Sequence, residues 1–288
     1  MDAKVVAKIN VLLSSDDSVA SLPELYFEFK KVVDDPESTF DEIGDVIRKD
    51  PGLSARLLKV VNSVFFYFSE KIETISHAVN MIGLQRLSDL VVSTLIIDKF
   101  KRLPVQLVSM RSFWEHSIAT GLAAKHLASI LNESNPERFF LAGLLHDIGR
   151  PFLCIKMPAQ MRAAIMLSVA ESMDINEAEN RILGFNHCDA GSLLLRRWNL
   201  PEVYCSVTAS HHELGKAKTF IRENGLVHLA DHIASNTLYG CNGEPFISSL
   251  DDNALDLVGM SKEEVESELL KFLSETFNEV AQSLLQVA

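Results

Sequence analysis

The stretch Leu141-Ala142-Gly143-Leu144-Leu145-His146-Asp147-Ile148-Gly149 closes an apolar run with an ionisable pair. Burying an imidazole and a carboxylate is costly unless each is hydrogen-bonded, paired or bound to a metal, so the pair calls for partners elsewhere. His116 lies upstream, and His187, the doublet His211-His212 and Asp231 follow downstream. Together they offer five imidazoles and two carboxylates, an inventory suited to two adjacent divalent cations. Asp147 is the natural bridge. One site then draws on His116, His146, Asp147 and Asp231, and the other on Asp147, His187, His211 and His212. Such a pair could lower the pKa of a bridging water and clamp the oxygens of a phosphoester, so the implied reaction class is phosphohydrolysis. Histidine with carboxylate suits iron, manganese, nickel and zinc too similarly for the sequence to choose among them.

Arg150 follows the His-Asp pair closely. It could hold a phosphate near the metals, or it could simply complement a helix C-terminus as a cation. His77 and His126 are expected to be hydrogen-bonded core residues. His228 and His232 flank Asp231 at i, i+4 spacing and could form a site of their own, in which case Asp231 would point elsewhere. Trp114, Phe65, Phe66, Tyr67 and Phe68 are expected in the core, and Arg86, Arg196 and Arg197 on solvated helix faces. No Gly-rich phosphate loop or serine-nucleophile elbow is visible.

The elements that must position these groups are helices, because almost every strong local signal is helical. Ser21-Leu22-Pro23-Glu24, Thr39-Phe40-Asp41-Glu42 and Ser261-Lys262-Glu263-Glu264 read as capping boxes. Asp50-Pro51 ends one helix and starts another over 52–63, with more expected over 76–82 and 84–99. A helix over 113–131 carries His116. Asn135-Pro136 starts a helix over 136–148, which Gly149 and Pro151 should stop directly after the His-Asp pair. Asn199-Leu200-Pro201 starts a helix that delivers His211-His212 at its end, and Gly225 is expected to precede the helix holding Asp231. Strand patterns are scarce, with Asn242-Gly243 the one obvious turn signal. An all-α fold follows.

A chain of 288 residues exceeds the size at which one core usually stops growing, so two domains are expected. The charged, proline-containing connector Lys99-Phe100-Lys101-Arg102-Leu103-Pro104 is the best boundary, giving residues 1–102 and 103–288. A net charge of -12 argues against a broad grip on nucleic acid or an anionic membrane. The N-terminus lacks a signal-peptide h-region, and no segment reaches the roughly 18 apolar residues of a membrane span. Four scattered cysteines without a CxxC pair suit a reduced, cytoplasmic protein.

The motifs resemble those of the HDOD domain proteins, a branch of the HD superfamily of metal-dependent phosphohydrolases. The resemblance runs from about residue 20 to 235. It is carried by Leu22-Pro23-Glu24-Leu25, Asp50-Pro51-Gly52-Leu53, Asn62-Ser63, Ile75-Ser76-His77-Ala78-Val79 and Ile82-Gly83-Leu84, and then by the segments holding His116, His146-Asp147, His187 and His211-His212. It implies an N-terminal helical bundle packed on an HD-like helical domain, acting as a bacterial signal-transduction module that binds one or two divalent metals. Many members regulate or scaffold rather than hydrolyse, and many lack some ligands, whereas every position is filled here. The related HD-GYP phosphodiesterases carry a Gly-Tyr-Pro segment after their His pair. Here His211-His212-Glu213 runs into Leu214-Gly215-Lys216, Arg150 stands where that family has lysine, and Ser112 where some have a glutamate, all of which argue against cyclic di-GMP hydrolysis. The alternatives are an active phosphohydrolase on a nucleotide or cyclic dinucleotide, and a metal-free protein-binding scaffold. The expected partner is a signalling protein or a phosphorylated small molecule. No receiver, cyclase or kinase segment is visible, so it should act in trans; the oligomeric state is left open.

Overall fold

Helices supply the regular structure among the described residues, which in this computed structural model are 2–15, 21–66, 68–101, 107–237 and 250–285. Tyr67, Cys241, the Asn242-Gly243 turn signal and the Arg102-Leu103-Pro104 end of the connector lie outside them. In chain order the helices are α1 (Ala3–Ser14), α2 (Glu24–Val33), α3 (Phe40–Arg48), α4 (Pro51–Val61), α5 (Ile75–Ile82), α6 (Leu84–Lys101), α7 (Met110–Ile130) and α8 (Pro136–Leu145). They continue as α9 (Gly149–Lys156), α10 (Pro158–Glu171), α11 (Ile175–Leu183), α12 (His187–Arg197), α13 (Glu202–Ser210), α14 (Ile221–Ser235), α15 (Asp252–Val258) and α16 (Lys262–Leu285). The described residues contain no strand, and the fold is all-α.

The chain divides into two compact units, one of residues 1–21 with 103–273 and the other of residues 22–102 with 274–288. In the second unit α2 to α5 pack against one another and onto α6. Helix α6 is apolar on most of its circumference, burying Leu87, Leu90, Val91, Leu95, Ile96, Ile97 and Phe100, as a helix surrounded by neighbours must. Thr39 caps α3 with the reciprocal capping box: Glu42 N donates to Thr39 Oγ1 (3.3 Å) and Thr39 N to Glu42 Oε2 (2.7 Å). Ser261 and Glu264 form the same box at α16. The box expected at Ser21 does not form. Helix α2 starts from Pro23 without a side-chain cap.

The first unit holds every candidate ligand and is centred on α7, which packs against α8 and α14. α7 begins a turn earlier than expected because Ser109 accepts from Ser112 N and caps it. Gly121 and Gly143 let α7 and α8 touch backbone to backbone, since a Cβ on Gly143 would lie 2.7 Å from Gly121 Cα. The helix carrying His146-Asp147 does not run to 148. It ends at Leu145, three residues turn, and Gly149 and Pro151 open α9 instead of merely stopping α8. Pro151 has no N–H to offer the Asp147 carbonyl, which accepts from Arg150 N at 2.9 Å. Gly225, expected ahead of the Asp231 helix, lies inside α14, where a Cβ would meet Leu257 Cδ1 at 2.1 Å. Its absent side chain admits α15.

Candidate metal centre

Five chain segments deliver the seven candidate side chains. His116 projects from the second turn of α7, His146 and Asp147 from the turn after α8, and His187 from the first residue of α12, whose cap is Asn186 accepting from Asp189 N (3.0 Å). His211 and His212 follow the end of α13, and Asp231 lies on α14. Close backbone contact fixes the frame. A Cβ on Gly149 would lie 2.0 Å from His187 O and 2.7 Å from Gly191 N, so only glycine lets α9 meet the start of α12. Thr208 Oγ1 donates to Leu145 O (3.3 Å), tying the His211 segment to the His146 turn.

The structure brings all seven side chains together. His116 Nε2 lies 3.1 Å from Asp231 Oδ1 and 3.3 Å from His146 Nε2, which is itself 3.5 Å from Asp231 Oδ1 and 3.7 Å from Asp147 Oδ2. Across Asp147, Oδ1 lies 3.2 Å from His187 Nε2 and 3.3 Å from His211 Nε2, and His187 Nε2 is 3.2 Å from His212 Nε2. Asp147 thus faces one group with each carboxylate oxygen. His116, His146, His187 and His211 are fully buried, Asp147 and Asp231 nearly so, and His212 half-buried.

The outer nitrogens decide what the inner ones can do. Nδ1 of His146 donates to Gly143 O (2.6 Å), that of His211 to Thr208 O (3.1 Å) and that of His187 to Glu179 Oε2 (2.7 Å). The carbonyl acceptors have no proton to give, so Nδ1 of His146 and His211 carries the hydrogen, and Glu179 Oε2, which also accepts His187 N–H (2.8 Å), takes that of His187; a ring that is neutral then turns its Nε2 lone pair inward. Those nitrogens face carboxylate oxygens and other imidazole nitrogens, an arrangement that calls for positive charge between them, as protons on the rings or as metal ions. Two donors each about 2.1 Å from a shared cation stand about 3.0–3.4 Å apart at octahedral and tetrahedral angles. The three distances in the His187 group fall in that range, as do those from His116, while His146 stands slightly farther from Asp231 (3.5 Å) and Asp147 (3.7 Å). The donor set therefore fits divalent transition metal ions.

Protons alone fill the site poorly. Burial opposes ionisation throughout, yet Cys188, Glu179 and Asp147 hold the His187 imidazole well above its usual range, and Cys188 and Asp147 do the same for His211. His212 is driven well below by burial and by the neighbouring His211 and His187. The histidines cannot all be charged together. Burial would raise both carboxyls, but His146 and His187 hold Asp147, and His116 and His146 hold Asp231, well below the ordinary carboxylate range.

The remaining candidates fall outside the ligand set. His228 donates Nδ1–H to His211 O (2.6 Å) and accepts Asp251 N on Nε2 (3.0 Å), so both nitrogens are engaged while Asp231 faces the cluster. His77, expected in the core, is exposed, because it sits on the face of α5 away from buried Ile75, Ala78, Val79 and Ile82. His126 is half-buried, bonded to Glu268 (2.9 Å) and stacked on Phe272. Trp114 and Phe65 are core, while Phe66 and Phe68 stack on each other, half-buried. Arg196 and Arg197 are exposed and Arg86 is half-buried. Arg150 is not at a helix C-terminus; it lies in the first turn of α9, 4% exposed, with Nη1 3.6 Å from Asp147 Oδ2. Glu179 was not anticipated. Fully buried on α11, it falls on the stripe set by Ile175, Ala178 and Leu183, and an acidic residue at such a position was the available signal.

The described residues thus form an all-helical frame that closes on a cluster of histidine and aspartate side chains. The chain belongs to the HDOD domain family, whose model matches residues 19–214. Asp231 lies beyond the matched span. An uncharacterized protein of Treponema pallidum (strain Nichols) is 25% identical over 202 residues, which are 70% of this chain and 39% of that protein. The chain thus spans about two fifths of the length of that relative. A crystal structure of an HDOD domain protein of unknown function from Geobacter sulfurreducens superposes with a TM-score of 0.80 at 24% identity, covering 98% of this chain and 99% of that one. A candidate phosphohydrolase from Shewanella amazonensis SB2B gives 0.74 at 23% identity, covering 98% of each chain. A candidate signal transduction protein from Marinobacter aquaeolei VT8 gives 0.69 at 18% identity, covering 92% of this chain and 59% of that one. These likenesses show the fold. No described helix is long and apolar enough to cross a membrane.

Proposed function

We propose that this protein is a cytoplasmic signal-transduction module whose HD-like unit binds one or two divalent transition metal ions at His116, His146, Asp147, His187, His211, His212 and Asp231. The observation that carries the reading is the set of inward Nε2 lone pairs on His146, His187 and His211, each fixed by an outer Nδ1–H bond and each facing another acceptor. Metal held there ties together α7, α8, α12, α13 and α14, so occupancy governs the rigidity of the unit that meets a signalling protein or a phosphorylated small molecule. Burial of the Cys154 and Cys205 thiols, pushed up to about 11, suits a reducing compartment. The test is elemental analysis of protein purified without chelator or oxygen. The wild type should carry a transition metal that Asp147→Ala lacks, with a fall in Tm, because a ligand bound only by the folded state stabilises it. Metal-free wild type that takes up no added metal overturns the reading.

A second reading, phosphohydrolysis of a nucleotide or cyclic dinucleotide, rests on Arg150. Its buried guanidinium lies beside Asp147, where it could hold a phosphoester oxygen. Bound divalent cations would supply an activated water and charge neutralisation there. Hydrolysis of bis-p-nitrophenyl phosphate by metal-loaded wild type, lost in Arg150→Ala at unchanged metal content, favours this reading; no turnover leaves the regulatory module as the better account.

A further inference from the structure

The two halves of the cluster are unequal in carboxylates, the half around His187 having the buried Cys188 thiol 4.0 Å from His211 Nδ1 on the outer side of that ring. The group around His116 and His146 has the Asp231 carboxylate as its own ligand, 3.1 and 3.5 Å from their Nε2 atoms. The group of His187, His211 and His212 has no carboxylate except Asp147, which it shares. Behind it, however, stands Glu179, fully buried, whose Oε2 accepts both His187 Nδ1–H (2.7 Å) and His187 N–H (2.8 Å). A carboxylate bonded to the outer nitrogen of a ligating imidazole fixes its tautomer and raises its basicity toward the metal.

We infer that Glu179 is the charge-compensating positioning residue of the second metal site, and that retention of the second cation, unlike the first, depends on its negative charge. The inference rests on the metal-binding reading above. The bland role for Glu179 is a helix cap, since His187 N–H is one of the free amides at the start of α12. A cap acts with or without metal and shifts the melting of the apo protein. Charge compensation acts on one step of metal uptake and leaves the other alone.

The test is anaerobic titration of the full apo chain with cobalt(II), followed by its visible absorption and by competition with a chelator. Wild type should take up two equivalents. Glu179→Gln should bind the first with wild-type affinity and the second roughly 10–100-fold more weakly. Glu179→Asp and Glu179→Asn, which differ from each other mainly in charge, repeat the comparison one methylene shorter and replace it if Glu179→Gln does not fold; the Asp variant should hold the second equivalent more tightly. Two equivalents bound by Glu179→Gln as in wild type, a loss shared equally by both, or no difference between Asp and Asn overturns the inference while leaving the metal reading standing. Wild type that binds fewer than two equivalents overturns it from below, and wild type that binds none removes the metal reading too.

Discussion

His146 Nδ1 donates to the carbonyl oxygen of Gly143 at 2.6 Å, and this bond determines which of its nitrogens reaches Asp231. The same glycine has no Cβ between α8 and the Gly121 backbone of α7. One residue therefore sets both the distance between the two helices and the orientation of the ring that joins their candidate ligands. The ring is a rigid inheritance of the backbone, not a side chain free to search for a partner.

Because His146 belongs to the His116 and Asp231 group, His146→Ala should lower metal content from two equivalents to one and leave the His187, His211 and His212 group loaded. Elemental analysis of anaerobically purified protein checks this. Loss of both equivalents would show that the two groups bind as a single unit.

Two glycines of the same unit should respond very differently to alanine. At Gly149 the new Cβ meets the His187 carbonyl at 2.0 Å, a backbone atom of another helix that cannot step aside. Gly149→Ala should cost at least roughly 3 kcal/mol in urea unfolding and impair metal uptake through His187. At Gly225 the clash is with the end of the Leu257 side chain, which can rotate, and alanine gains about 1 kcal/mol of helix propensity. Gly225→Ala should stay within about 2 kcal/mol of wild type and keep its metal. Equal losses at the two positions would sink this account of close packing.

Asp231 supplies a pH-dependent contribution whose sign is fixed. Burial would raise its carboxyl, but hydrogen bonds and charge from His116 and His146 hold it well below 3.8 in the fold. A carboxyl depressed in this way stabilises the protein above the unfolded value and ceases to do so as pH falls through the folded one. In chelator-treated protein, Asp231→Asn should therefore be less stable than wild type by roughly 1–3 kcal/mol above about pH 4, and the gap should close toward pH 2. Urea unfolding across that range decides it, and a gap that widens in acid would contradict the assignment.

The convergence of the seven side chains was readable because metal chemistry requires particular residue types, with His146-Asp147 and His211-His212 following helices whose starts Asn135-Pro136 and Pro201 mark, His187 opening a helix capped by Asn186, and His116 and Asp231 lying within theirs. Helix starts with reciprocal side-chain caps, as at Thr39 and Ser261, were readable for the same reason. What escaped was decided by neighbours far along the chain. Gly225 looks like a breaker locally, and only the approach of Leu257 shows it to be a contact inside α14. Gly149 and Pro151 look like a stop, yet the turn at His146 continues into α9 because α12 packs against Gly149. His77 shares its residue type with the ligands, but the buried stripe of α5 lies on the other side. Glu179 is one acidic residue among several until its burial against His187 is known.

His228 separates support from coordination. It sits three residues before Asp231 on α14 and looks like a ligand, yet it donates to His211 O and accepts Asp251 N, joining the His211 segment to the residue ahead of α15. Removing the imidazole leaves a buried carbonyl and an amide without that partner, which costs about 1–3 kcal/mol. His228→Ala should accordingly melt at lower temperature while retaining the wild-type number of metal equivalents. The fall in Tm should also appear in chelator-treated protein, since the two bonds do not involve metal. A variant that melts like wild type would refute the supporting role, and one that loses a metal equivalent while apo stability is unchanged would place His228 among the ligands.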